Sequence, residues 1–228
     1  MRVALLVIAA LAVCAGACST GNAADAASAS SAGSETLAGR TLTEWTAQVN
    51  SENRVVRLRA VKTLPAFGNP AIPALTQALE HADPAVRFWA ADGLGTIAPE
   101  ADQREGEDRA QRSAFDAAVP VLKAMLDEKS GGVRMAAAFA LCRLGEVETG
   151  LPELIRAIEH PERGVANSAV DFVARVGPPA REAIPALEAA IERNQRGRPG
   201  GDYHIASIAR EAIRRIRGEA ATDEREPE

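Results

Sequence analysis

Cysteine, aromatic side chains and histidine are scarce in this 228-residue chain, and each shortage excludes something. Of three cysteines, Cys14 and Cys18 lie close to the N-terminus, which leaves Cys142 alone in the rest. A single thiol cannot build a disulfide framework. Aromatic residues make up 4% of the chain, too few for the half-buried faces of a sandwich or barrel, where aromatic and β-branched residues collect. The three histidines, His81, His160 and His204, are far apart in sequence. No Gly-rich phosphate loop, nucleophile elbow, HExxH or paired-cysteine signature occurs, so the sequence implies no cofactor, no metal site and no assembled catalytic group. Positive charge is not in excess either. Lys and Arg number 26 against 31 Asp and Glu, for a net charge of -5, which argues against nucleic acid as the main partner.

What is abundant is alanine, with 48 residues, in a composition 46% hydrophobic and 25% charged. Small apolar side chains with interspersed charge point to closely packed helices. The N-terminus reads differently. Arg2 precedes an apolar run at residues 3–13 (VALLVIAALAV), too short for a membrane span but suited to the core of a signal peptide. Ala15-Gly16-Ala17 then precede Cys18. This resembles the lipobox of bacterial lipoproteins, although Ala15 stands where that family usually has Leu, Val or Ile. Bulky Val13 directly before Cys14 makes the earlier cysteine a poor cleavage site, so the resemblance places lipidation on Cys18. Ordinary cleavage, releasing a soluble exported protein, is the alternative. The expected layout is a signal peptide at 1–17, a flexible Ala/Ser/Gly tether at 18–39, a repeat domain at 40–217 and a charged, disordered tail at 218–228. A tether of that composition reaches roughly 25 Å.

Beyond the tether the chain repeats itself. With Val56, Val86, Val133 and Val165 as origins, the fourth residue on is Ala60, Ala90, Ala137 and Ala169. The eighth is Leu64, Leu94, Leu141 and Val173, and the eleventh is Phe67, Ile97, Leu144 and Val176. These offsets mark one face of an α-helix, written four times. Gly68, Gly145 and Gly177 follow as left-handed caps. The second repeat has Ala98 there and is expected to break at Gly93 and Gly95. Each first helix is followed by a second with proline in its first turn, at Pro73, Pro120, Pro152 and Pro185. Leu75, Leu122, Leu154 and Leu187 form its buried face. Asp83 and Ser130 are N-cap candidates. The stretch 99–115 is an inserted loop, and Ser113 with Asp116 is a candidate capping box for the helix after it.

Val-Arg followed by Ala, Leu and Gly, and then Ile-Pro-x-Leu, resembles the short bacterial HEAT-like repeat of the bilin-lyase type. The resemblance implies an all-α, right-handed solenoid of antiparallel helix pairs, with about four full repeats. Residues 42–49, holding Trp45, would close one end, and a final helix over 202–217 would close the other.

Candidate binding residues come from positions that the repeat does not need. Glu80, Asp127, Glu159 and Glu192 recur near the ends of the second helices, against the helix dipole. They form either an acidic stripe for basic partners or acceptors for turn amides. Trp89 sits at an outward offset and is either a binding anchor or packing for the inserted loop. Arg57, Arg87 and Arg134 recur one residue after the origin and should satisfy carbonyls and carboxylates between repeats. His81 and His160 occupy equivalent turn positions, as a proton-transfer or metal pair or as polar turn residues. Cys142 reads as a small buried hydrophobe.

The expected function is a non-enzymatic protein-interaction scaffold or adaptor, anchored by its lipid in the bacterial cell envelope, with a protein partner and no nucleic acid. The family resemblance also admits an accessory subunit or lyase-like enzyme. Base-excision chemistry, known for some HEAT-like folds, fits poorly with an acidic exported chain.

Overall fold

The computed structural model describes residues 36–99, 109–195 and 202–219. The signal peptide, Cys18, most of the tether, residues 100–108 of the insertion and most of the tail lie outside them. The first described element falls inside the expected tether. Strands β1 (Thr36–Leu37) and β2 (Arg40–Thr41) pair antiparallel. Ala38 and Gly39 turn between them with φ of 49° and 74°, the left-handed pair that a two-residue hairpin requires. Leu37 explains the order: its carbonyl accepts a hydrogen bond from Trp45 Nε1 at 3.0 Å.

Helix α1 (Leu42–Gln48) opens with a capping box between Thr41 and Glu44, and its Trp45 is 1% exposed. Repeat 1 pairs α2 (Arg54–Thr63) with α3 (Ile72–Ala78) through 3-10 turns at Leu64–Phe67 and Asn69–Ala71. Next come α4 (Pro84–Ile97) and α5 (Arg109–Asp116), then α6 (Val119–Met125). Repeat 3 is α7 (Gly131–Arg143) with α8 (Val147–Ile158), and repeat 4 is α9 (Arg163–Val176) with α10 (Ile184–Arg193). Helix α11 (Tyr203–Arg217) closes the stack. The described helices form a right-handed α-solenoid of antiparallel pairs.

The fourfold register holds at its central positions, while Val56, Val165, Ile97 and Leu144 at its ends are part-buried. Residues at offsets four and eight, from Ala60 and Leu64 to Ala169 and Val173, are completely buried, as are the second-helix leucines. Asp83 caps α4 through the Ala85 amide at 2.9 Å, and Ser130 caps α7 through Val133. Gly68 and Gly177 do adopt positive φ, but with ψ near -143°, a region reserved for glycine rather than the left-handed helical cap.

Four local expectations fail, each for a physical reason. Helix α4 runs straight through Gly93 and Gly95 and stops at Ala98, before Pro99. Those glycines serve close approach: a Cβ on Gly95 would stand 2.5 Å from Phe139 Cε1. Part of the insertion is helical, because Phe115 buries itself and fixes α5. Ser113 lies inside α5, where its carbonyl accepts from Ala117, so it caps nothing. Helix α8 begins at Val147, which places Pro152 in its interior rather than its first turn.

Helix α7 is the centre of the array. Every residue from Met135 to Arg143 is buried, including positions that the other first helices turn outward. Four of these are alanines, and they let α4, α8 and α9 close around it.

Candidate functional site

The charged frame was legible as a ladder, and the structure shows what it holds. Arg57 donates to the Ser51 carbonyl at 2.7 Å and to Asp83 at 2.8 Å. Arg87 repeats this one step on, to the His81 carbonyl at 2.8 Å and to both Glu128 oxygens at 2.7 and 2.5 Å. Arg134 does the same with the Glu128 carbonyl at 2.7 Å and Glu153 at 2.8 Å. Each guanidinium thus closes the turn before its own helix and grips an acid further along. Ala166 occupies the fourth position, and the ladder ends there. A second kind of arginine was not foreseen. Arg143 is 8% exposed and caps α4, donating to the carbonyls of Gly95 and Ala98 at 3.2 and 2.6 Å.

The singled-out acids do not join one groove. Glu80 lies between two cavities beside α3, one of about 260 Å³ toward α1 and one of about 430 Å³ toward α5. Asp127, Glu159 and Glu192 are exposed at the ends of their helices. Among the described residues, Glu80, Asp127 and Glu159 accept no turn amide. That role belongs to the imidazoles: Asp83 N donates to His81 Nδ1 at 2.9 Å, and Glu162 N to His160 Nδ1 at 3.1 Å. Cys142 is buried, and burial pushes its thiol up to about 12, which leaves no thiolate for chemistry near neutral pH. The described residues contain no group of three or more His, Cys, Asp or Glu able to hold a metal ion. No described helix is long and apolar enough to cross a membrane.

A groove of about 600 Å³ opens on the first-helix side, over α9. Helix α4 contributes Phe88, Trp89 and Asp92 to one wall; Asn167, Asp171, Phe172 and Arg175 rise from α9; Ile208, Glu211 and Arg215 stand on α11, with His204 near its start. Trp89 is half-buried, packs edge-on to Phe88 at 4.9 Å, and carries the Lys62 ammonium 3.9 Å over its ring. Arg175 crosses the stack. It pairs with Asp92 at 2.7 Å, donates to Thr96 at 2.7 Å, and lies 4.2 Å over the Phe139 ring. Arg214 and, after it, Arg215 hold the Glu211 carboxyl below the usual carboxylate range.

Two stretches of the chain, residues 42–128 and 118–198, match the sequence profile of HEAT repeats. The chain belongs to the HEAT-repeat family. No curated protein matches the sequence. Among solved structures, an engineered protein shares 19% identity over 77% of this chain and 78% of its own, with a TM-score of 0.48. A designed armadillo repeat protein in complex with the peptide (KR)4 shares 18% over 77% and 81%, with a TM-score of 0.48. The complex of CpcE and CpcF of phycocyanin lyase from Nostoc sp. PCC7120 shares 19% over 77% and 82%, with a TM-score of 0.38.

Of the candidate binding residues read from sequence, this HEAT array brings only Trp89 to the groove over α9. The rest of the groove was missed, yet it has a signal in the repeat register. Offset six carries Asp92, Asp171 and, counting from Ile205, Glu211; offset ten carries Arg175 and Arg215. Acid and arginine four apart on one helix face are neighbours, and these positions supply the charged part of the groove.

Proposed function

We propose that this HEAT-repeat chain is a non-enzymatic adaptor of the bacterial cell envelope, held at a membrane by a lipid on Cys18, that binds a protein partner. The observation that carries the reading is the groove over α9. Its walls come from three helices of the array, and its two arginines are engaged internally, Arg175 with Asp92 and Thr96 and Arg215 with Glu211. Such a surface offers area and fixed geometry, which is what partner recognition by stacked repeats uses. The apolar run at 3–13 and the small residues before Cys18 support the tether.

The test is crosslinking and affinity capture of the full chain from its native envelope, read by mass spectrometry. One stoichiometric protein is expected. Trp89→Ala and charge reversal of Glu80, Asp127, Glu159 and Glu192 then tell which surface holds it. Empty capture with a co-purifying small molecule would turn the reading toward an enzyme or enzyme accessory. For the tether, Cys18→Ser should move the protein out of the membrane fraction, and retention there would defeat the lipid anchor.

A further inference from the structure

The groove over α9 is unbalanced in its hydrogen-bonding groups. Both of its arginines are engaged: Arg175 with Asp92 and Thr96, and Arg215 with Glu211 at 3.1 Å. Two of its acceptors, Asp171 and Asn167, are not. The Asp171 side chain is 66% exposed, and its one ion pair is a 3.8 Å approach to Arg175, already bonded more closely to Asp92. Asn167 Oδ1 is buried and accepts no hydrogen bond. An orphaned buried acceptor calls for an explanation. Asn167 and Asp171 are four residues apart on α9 and both line the groove, so they stand one turn apart on a common face. The terminal amide torsion of Asn167 is soft, and the amide turns toward an incoming donor at small cost. Beside them, half-buried Phe88 lines the groove, whereas Phe172 is buried, stacked on Phe139 and covered by Arg175. Trp89 is less available, because Lys62 already covers its ring.

Free acceptors next to an aromatic ring complement one chemistry: a flat, donor-rich cation on an apolar stem. We propose that the groove receives an arginine side chain from a segment of the protein partner. The guanidinium donates to Asp171 and Asn167 while its plane and stem lie against Phe88. Arginine suits the site better than lysine because its fork meets a carboxylate in bidentate fashion and its plane stacks on rings. The net charge of -5 favours the approach of such a segment. This rests on the protein-binding reading and adds the chemistry of the partner.

The test uses the full chain and Gly/Ser octapeptides that differ only at a central residue: arginine, lysine, citrulline or glutamate. Binding is followed by amide NMR shifts. The arginine peptide should bind at least tenfold more tightly than the citrulline peptide, with shifts centred on α9. Asp171→Asn, an exposed and nearly isosteric change, should remove that preference while leaving the helical circular dichroism unchanged. Equal affinities for arginine, citrulline and glutamate, no binding at all, or shifts away from α9 would overturn the proposal. Envelope capture with the same variant separates the two readings. A partner captured equally by wild type and Asp171→Asn sinks the arginine site and leaves the adaptor standing. No partner for wild type, with the peptide preference intact, sinks the adaptor and leaves the site.

Discussion

Gly95 shows how much one missing methyl decides. Its Cα faces the Phe139 ring so closely that a Cβ would lie 2.5 Å from Cε1 and 2.7 Å from Cδ1. Gly95→Ala should therefore cost about 1–3 kcal/mol, because the ring sits in a packed interior and cannot yield freely. Gly132→Ala, whose Cβ would meet nothing nearer than 3.7 Å, should be neutral or stabilising by up to about 1 kcal/mol. Chemical denaturation midpoints of the two variants test the contrast. Asp83 gives a pH signature at the same scale. Its carboxyl is held below its ordinary value of 3.8 chiefly by the Arg57 hydrogen bond, and next by the Ala85 amide. A carboxyl lowered on folding stabilises the fold above its unfolded value and loses that contribution as pH falls through the folded one. Thermal melts should therefore show wild type losing its advantage over Asp83→Asn below about pH 4. A constant gap down to acid would contradict the role of the Arg57 pair.

At the scale of elements, what could be read from sequence depended on what was local. The first helices were legible because each carries its apolar face at a fixed period, and Ala60 or Leu94 is buried by that period alone. The recess of α7 was not, since it arises from glycines on two other helices. Gly95 of α4 admits Phe139, and Gly150 of α8 lies where a Cβ would strike the Ala138 carbonyl. The groove was hidden for the same reason: Asp92 and Arg175 are 83 residues apart, and no pattern joins them until the helices are placed. The insertion was read as one loop because its charge masked the single apolar anchor, Phe115. Replacing residues 100–108 with a short Gly/Ser linker should leave helical circular dichroism unchanged, since extending or shortening a loop costs little. Helix α4 has its end capped by Arg143 and α5 is held by Phe115, so neither needs the segment between. A large loss of helix would show that the insertion is structural.

For the whole molecule, the crossing made by Arg175 has a consequence for how the array comes apart. In a simple stack each repeat touches only its neighbours, and unfolding can begin at an end and travel inward. Here a side chain of the fourth repeat fastens onto the second, over the ring of Phe139 in the third. Opening any one of them releases the others. The chain should therefore melt in a single transition, and the amide hydrogens of α7 should exchange with solvent only when everything unfolds. Arg175→Ala would cut that strap, and mass-resolved exchange should then reveal a C-terminal part that opens ahead of the rest. An α7 that exchanges early in the intact protein would mean that the repeats behave as beads on a string, free to open one at a time.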